Sequence, residues 1–372
     1  MSLLFLSALC AAGCLLAAAA AIEERRSSAP ALPPAAPAAP ASNSNAVLVP
    51  VRNEERNVVP CVEALLLQTA GPRIRILDDG STDRTAALAH GRFDAEPRVE
   101  ILPVEPLPAG WRGKVHALDF GWRGLDAPWI LTTDADARSA PELLARALAA
   151  AESGGFALLS IAGRQEVLGL GENLLTPVAY AYLDFLLGDW RNSARGEGPA
   201  VANGQFLLLR KDAWDACGGF DRVKGAPMDD VAIAAALQAE GFRTAFFRSP
   251  LLSVRMYLGG RETWAGWRRI LGCLFGGETA RLARLVTVLA IPVTIFVAAL
   301  LRADWPAALL VWTAGAAASG IVRRGSDNSP VYGLIYPFDA LALAALAILC
   351  GLDHRRGRLA PWKGRPMDLN QG

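Results

Sequence analysis

The stretch that decides the fold is Trp129-Ile-Leu-Thr-Thr-Asp134-Ala-Asp136. An apolar, partly β-branched run ends in two aspartates one residue apart. As a strand, its alternation places Asp134 and Asp136 on the same side of the chain. A carboxylate pair at the C-terminal end of a strand sits where open α/β sheets bind ligands. Carboxylate oxygens suit a hard divalent cation, Mg²⁺ or Mn²⁺, which in turn holds a diphosphate. Alone, an Asp-x-Asp is more often an acidic loop behind a buried strand, so its neighbours decide.

Working outward, strands and helices alternate. Ala46–Val51 reads as a buried strand, Val58–Gln68 as an amphipathic helix and Arg73–Leu77 as a second strand. Thr85–His90 is helical, Val99–Pro103 a third strand and Lys114–Arg123 a helix leading to Trp129–Thr133. This order predicts an α/β fold with a mostly parallel, Rossmann-like sheet covered on both faces and right-handed crossovers. Beyond it follow a helix at Pro141–Ala151, strands at Phe156–Ile161 and Asn203–Leu209, a helix at Asp229–Glu240 stopped by Gly241, and a late strand at Arg243–Phe247.

Four acidic constellations fall behind successive elements of this unit: Glu54-Glu55, Asp78-Asp79, Asp134/Asp136 and Asp229-Asp230. Each alone is more often a solvated turn, and Asp229-Asp230 also suits a helix N-terminus. Together they converge at the C-terminal edge of a parallel sheet. Acids gathered there repel one another unless a cation with a diphosphate ligand offsets them.

Val-Leu-Val-Pro50-Val-Arg52-Asn-Glu54-Glu, then Leu-Asp78-Asp79-Gly-Ser-Thr-Asp-Arg-Thr, then Thr-Thr-Asp134-Ala-Asp136, then Met-Asp229-Asp230 resemble the family 2 glycosyltransferases of GT-A fold. The resemblance covers roughly 46 to 255. Pro108-Ala-Gly-Trp-Arg-Gly-Lys114-Val-His-Ala-Leu118 more narrowly resembles the hopanoid-biosynthesis-associated branch, with carotenoid glycosyltransferases close in pattern. The resemblance implies that Pro50, Arg52 and Glu54 border the nucleotide base, and that Asp78 and Asp79 bind uracil and ribose. A carboxylate can accept from an imide N–H or from ribose hydroxyls. It implies Lys114 near the donor phosphates, Asp134 and Asp136 as the metal motif with Asp136 the direct ligand, and Asp230 as catalytic base. Asp229 stands where the family usually has glutamate. The Gln-x-x-Arg-Trp motif of processive polysaccharide synthases survives only as Gly260-Arg-Glu-Thr-Trp264 without its glutamine, which favours transfer of one sugar. Asn203-Gly-Gln205 lies where the acceptor side belongs, or it simply leads into a strand.

The ends of the chain are apolar. Leu3–Ile22 is long enough to span a bilayer. A cleaved signal peptide is the rival reading, but the arginines follow the apolar run, which favours an anchor with its N-terminus outside and the enzyme cytoplasmic, at a bacterial-type inner membrane. An Ala/Pro-rich linker follows. Trp264–Phe275 has the spacing of an amphipathic helix, either on the membrane surface with its arginines toward lipid phosphates or packed inside the protein. Leu282–Leu301, Trp305–Val322 and 333–352 are apolar runs of spanning length, the last holding Pro337 and Asp339. Three spans would put the tail outside, yet Arg355, Arg356, Arg358, Lys363 and Arg365 prefer the cytoplasm; a re-entrant last run would remove the conflict. The division expected is anchor 1–22, linker 23–45, catalytic domain 46–255, interfacial segment 256–281, two to three spans in 282–352 and a basic tail 353–372.

The totals exclude other classes. A net charge of +1 over 372 residues leaves no nucleic-acid footprint. Six scattered cysteines and three distant histidines argue against a disulfide framework or a zinc site. A hydrophobic content of 52% fits membrane segments. The expectation is an inverting, Mg²⁺- or Mn²⁺-dependent glycosyltransferase taking a nucleotide sugar, a UDP-sugar, to a membrane lipid such as a hopanoid or other polyisoprenoid. A non-catalytic scaffold of the same fold and a polysaccharide synthase are the alternatives. A nucleotidyltransferase would need a glycine-rich basic loop after the first strand, where this chain has Arg-Asn-Glu-Glu.

Overall fold

The structure, a computed structural model, describes residues 2–28, 31–34, 44–187, 200–275, 277–362 and 365–368. Much of the expected linker (29–30 and 35–43) and Lys363 of the basic tail lie outside the described residues. The chain divides into two compact units, one from Ser28–Arg164 and Asp189–Val254, the other from Met1–Ser27, Gln165–Gly188 and Arg255–Asn370. In this division 165–188, inside the expected catalytic segment 46–255, falls in the other unit, and residues before 46 fall with the sheet. Of the expected Ala/Pro-rich linker, Leu32 is buried, its amide donates to Arg248 O (3.0 Å), and Arg146 donates to Leu32 O and Pro33 O.

The first unit is an α/β sheet. Its strands are β1 (Ala46–Val51), β2 (Arg73–Asp78), β3 (Val99–Pro103), β4 (Trp129–Thr132), β5 (Ala137–Ser139), β6 (Leu158–Gln165), β7 (Leu207–Arg210) and β8 (Thr244–Val254), in the order β3-β2-β1-β4-β7-β6-β8-β5. β3-β2-β1-β4 is parallel, whereas β4/β7, β6/β7 and β5/β8 are antiparallel. The sheet is therefore mixed, with its parallel half where the βα alternation was legible. Buried on both faces, β1 is a continuous apolar run and β4 is apolar up to its last residue, Thr132. Helix α2 (Val58–Leu66) buries Val58, Cys61, Val62 and Leu65, the i, i+3, i+4, i+7 stripe of a helix laid on a sheet. Helices α3 (Thr85–Phe93), α4 (Gly113–Trp122), α5 (Leu143–Gly154), α7 (Lys211–Ala216) and α8 (Asp229–Ala239) complete the unit, with α6 (Leu170–Leu187) belonging to the other.

The second unit is helical: α1 (Leu3–Ser28), α6, α9 (Gly260–Phe275), α10 (Thr279–Leu301), α11 (Trp305–Gly325) and α12 (Phe338–Arg355), with a small hairpin of β9 (Arg358–Trp362) and β10 (Arg365–Asp368). Among the described residues, three helical stretches are long and apolar enough to cross a membrane: Leu3–Ala20, Thr279–Leu301 and Trp305–Arg324. Helix α12 is not one of them. The chain leaves α11 through the 3₁₀ turn Pro330–Ile335, which lies against α11 so closely that a Cβ on Gly333 would stand 2.4 Å from Ala316 O. It turns at Tyr336–Pro337, where Trp312 Nε1 donates to Tyr336 O (3.0 Å), and α12 then runs back along α10. Ala340 clusters with Val293 in the middle of α10, whereas Gly351 faces Leu282 near its start. Each step is 11 residues, about 16 Å at 1.5 Å per residue, so the two helices are antiparallel in register.

In α9, the inward reading holds for one face. Trp267 is fully buried and donates to Thr176 Oγ1 (3.2 Å), and Leu271 and Phe275 join a cluster with α6, α10 and α12. Arg268 forms a bidentate pair with Asp353 (2.6 and 2.7 Å), so it serves α12 instead of a lipid phosphate.

Candidate active site

The parallel strands deliver their polar residues to one edge. β1 pairs with β4 only over Ala46–Leu48, so Pro50, which has no N–H to give, lies past the last β4 partner. Beyond Val51 the loop 52–55 is knitted to the loop after β2. Arg52 Nη1 donates to Asp79 O and Gly80 O, Asn53 N to Ser81 Oγ (3.0 Å), Glu54 N to Thr85 Oγ1 (2.7 Å) and Glu55 N to Asp83 Oδ2 (3.2 Å). Asp78 Oδ1 accepts from Ser81 N (2.9 Å) and Asp79 is buried. Partial burial disfavours ionisation of Asp83, but bonds from Thr85 and the Glu55 amide outweigh it and hold its carboxyl below the ordinary range. Pro50, Arg52, Glu54, Asp78 and Asp79 thus sit in or beside one braced double loop. Asp83, Ser81 and Thr85 do the bracing, a role that only the pairing of two distant loops reveals.

β4 ends at Thr132, so Asp134 and Asp136 lie in the turn before β5 and not in the strand. The same-side argument from strand alternation therefore does not apply to them. Other contacts place them. Thr133 Oγ1 donates to Gln205 O (2.7 Å), and Cys61 Sγ on α2 points at Asp134 O (3.8 Å). Burial pushes the Cys61 thiol up to about 12; among its charged neighbours Arg138 opposes that rise and Asp136, Glu54 and Asp134 add to it. Glu54, Asp134 and Asp136 thus all lie within electrostatic reach of the Cys61 thiol.

Lys114, the second residue of α4, brings three carboxylates to one point. Its Nζ lies 2.7 Å from Asp134 Oδ1 and 3.3 Å from Asp229 Oδ2. Burial works against the ammonium charge, but Asp134, then Asp229 and Asp230, hold the proton on and raise its pKa well above the usual lysine range. Asp229 and Asp230 open α8, where the helix dipole favours acids. Asp230 Oδ1 accepts from Val231 N and Oδ2 from Gly204 N, both at 2.8 Å. Burial first, then Asp229, lifts the Asp230 carboxyl to about 6, while Lys114 and the two amides pull the other way. Asn203-Gly-Gln205 is thus more than a strand lead-in. Its backbone holds Asp230 and Thr133, and Ser160 on β6 fixes Asn203 N (2.8 Å). A Cβ on Gly204 would lie 2.7 Å from Lys114 Nζ and 3.5 Å from Asp134 Oδ2, so only glycine leaves the lysine its place.

Among the described residues no three His, Cys, Asp or Glu side chains are arranged to hold a metal ion alone. The residues do fit an Mg²⁺ or Mn²⁺ carried with a diphosphate, which needs only one or two protein carboxylates. Asp134 already holds a cation, the Lys114 ammonium, at direct-contact distance, and Asp136 follows it in the same turn.

A parallel half-sheet with acids converging at its C-terminal edge, continued by antiparallel strands, is a GT-A fold. Residues 46–213 match the family described as glycosyl transferase family 2. It is 25% identical over 248 residues to the 4,4'-diaponeurosporenoate glycosyltransferase of Staphylococcus aureus strain MRSA252, and equally to that of strain USA300. The match spans 63% of this chain and 63% of those relatives, less than two thirds of their length. The mannosyltransferase PcManGT from Pyrobaculum calidifontis, solved with GDP-mannose and Mn²⁺, superimposes with a TM-score of 0.53 at 18% identity, over 95% of this chain and 99% of that one.

Proposed function

We propose that this chain is an inverting glycosyltransferase that moves a sugar from a nucleotide donor, a UDP-sugar, to the hydroxyl of a membrane lipid of the polyisoprenoid class, hopanoids among them. The observation that carries this is the convergence of Asp134, Asp229 and Asp230 on Lys114 at the sheet edge. The curated relatives are named for 4,4'-diaponeurosporenoate, which supports an isoprenoid acceptor. PcManGT was solved with GDP-mannose, so a GDP-sugar is the second donor to try.

The chemistry follows from the residues. Asp78 and Asp79, with Pro50, Arg52 and Glu54 around them, accept from the base and ribose. Lys114 offsets diphosphate charge. Asp134 and Asp136 hold the divalent cation, which when bound stabilises the departing diphosphate. Asp230 takes the acceptor's hydroxyl proton as that oxygen bonds to the anomeric carbon and the carbon–oxygen bond to the diphosphate breaks. The displacement is single, so configuration inverts and no enzyme nucleophile is needed. Asp229 keeps Lys114 and Asp230 in register. Calorimetry of the detergent-purified protein with UDP, GDP and their sugars, with and without Mn²⁺, tests the donor. Metal-dependent binding lost in Asp136→Ala is expected; absence of all nucleotide binding would favour a scaffold of the same fold.

For the membrane, the reading is three spans, α1, α10 and α11, with α12 re-entrant. Leu3 packs with Ala299 and Ala307 at the α10–α11 turn, while α12 returns to the starting level of α10. These contacts support an N-terminus on the outer side of the inner membrane, with the sugar-transfer unit and the tail both cytoplasmic. That arrangement obeys the positive-inside rule that three C-terminal spans would violate. Single cysteines at Ala303, Ser326 and Gly357, with the native cysteines replaced, provide the test in sealed vesicles. Positions 326 and 357 should label from one side and 303 from the other; labelling of 357 together with 303 would mean that α12 crosses.

A further inference from the structure

The lysine in the acidic cluster stands in an odd place for a residue whose task is to meet the donor's phosphates. Its ammonium is spent on protein carboxylates: 2.7 Å from Asp134 Oδ1 and 3.3 Å from Asp229 Oδ2, with 19% of its side chain exposed. A divalent cation on Asp134 would bind oxygen at about 2.0–2.2 Å, in the space where the ammonium now sits against the same oxygen. Gly204 leaves that place to the ammonium, since a Cβ there would stand 2.7 Å from Lys114 Nζ and 3.5 Å from Asp134 Oδ2.

We propose that Lys114 is a tethered stand-in for the metal: in the ligand-free protein its ammonium fills the cation place at Asp134, so free divalent metal and Lys114 exclude one another. This rests on the reading of the site as one for a metal–nucleotide-sugar. Metal then enters tightly only with a diphosphate, which gives the displaced ammonium a new anion to meet. The stem allows the exchange. The backbone of α4 is fixed, because Gly113, Val115, His116, Ala117 and Leu118 are buried, whereas a lysine is a compact charge on four rotatable carbons. One consequence is protection: without donor, the acid cluster neither stays unpaired nor traps adventitious metal.

The test is binding, not turnover. Affinity for Mn²⁺ alone, and for UDP and GDP in saturating Mn²⁺, is measured by titration on the full-length protein and on Lys114→Met and Lys114→Gln, each checked for an unchanged melting temperature; a variant that keeps its fold suffices. The expected result has opposite signs: free Mn²⁺ binds at least tenfold tighter to the variant, and nucleoside diphosphate at least tenfold weaker. A lysine that only attracts phosphate would weaken nucleotide binding and leave free Mn²⁺ affinity unchanged, and that outcome overturns the proposal. Mn²⁺ binding that weakens in both variants overturns it too. If the unaltered protein binds no nucleoside diphosphate with Mn²⁺, the functional reading itself falls, a result distinct from either.

Discussion

Arg323 and Lys114 are both cations held against carboxylates, and they differ in how completely they are matched. In the helical unit, Arg323 meets one carboxylate. Its Nη2 donates to Asp339 Oδ2 (3.0 Å), Nε to Ser319 Oγ (3.2 Å) and Nη1 to Asn173 O (2.6 Å). Asp339 is filled in turn by the Ser319 hydroxyl (2.6 Å) and its own helix amide at Ala340 (2.8 Å). One positive and one negative charge, at 0% and 2% exposure, close on each other. In the α/β unit, Lys114 faces three carboxylates, two of them still 35% and 19% exposed. That cluster has a surplus of negative charge and an opening to solvent. A balanced, sealed pair fixes helices; an unbalanced, open one has capacity for a ligand. The first ties the 3₁₀–α12 hairpin to α11 and α6, and the second is where we place the donor.

Substitutions separate the two. The largest effect is expected at Asp230. Asp230→Asn keeps shape but cannot take a proton, so turnover should fall by about 10²–10⁴ while calorimetric donor affinity stays within a few-fold. Near-normal transfer would remove Asp230 from the base role. Next is Arg323→Met, which leaves Asp339 buried without its cation and should cost about 3–5 kcal/mol of stability. Adding Asp339→Leu should recover most of that loss, because the pair is closed and neutral; thermal unfolding in detergent reads both. A Lys114 substitution, by contrast, should change the melting temperature little. If Arg323→Met spares stability and lowers turnover instead, the distinction between the two clusters collapses.

The sequence was most informative where burial is symmetrical. Strands covered on both faces, Ala46–Val51 and Trp129–Thr132, are apolar up to the closing Thr132, and the acids behind them are close in sequence. It was least informative where partners are far apart. Gly204, Thr133 and Ser160 gain their roles from bonds spanning 26, 72 and 43 residues. β5 has three residues, too few to show a period, so the sequence pattern extends the strand's alternation over Asp134 and Asp136 although they occupy a turn. The helical unit misled for another reason. Hydropathy scores a run and not its direction, so 333–352 was long enough to span although Gly333 and Tyr336 bend back along α11. The apolar run of α11 was read to Val322, and the cation that matters is the next residue.

Two smaller effects sharpen the comparison within the open cluster. Gly204→Ala places a methyl 2.7 Å from Lys114 Nζ and must move it. A displacement of about 1 Å near reacting groups costs up to about 100-fold, and the loss should appear in turnover with the melting temperature preserved. Lastly, pH reads the surplus charge directly. A base must be ionised to act, and burial beside Asp229 has raised the Asp230 carboxyl from an ordinary value to about 6. The acid limb of kcat/KM should therefore bend near pH 6 and fall about tenfold per unit below it, instead of two units lower. Lys114 opposes that rise, so in Lys114→Gln the bend should move to higher pH, whereas in Arg323→Met it should stay where it is. A bend that ignores Lys114 would mean that the titrating group is not Asp230.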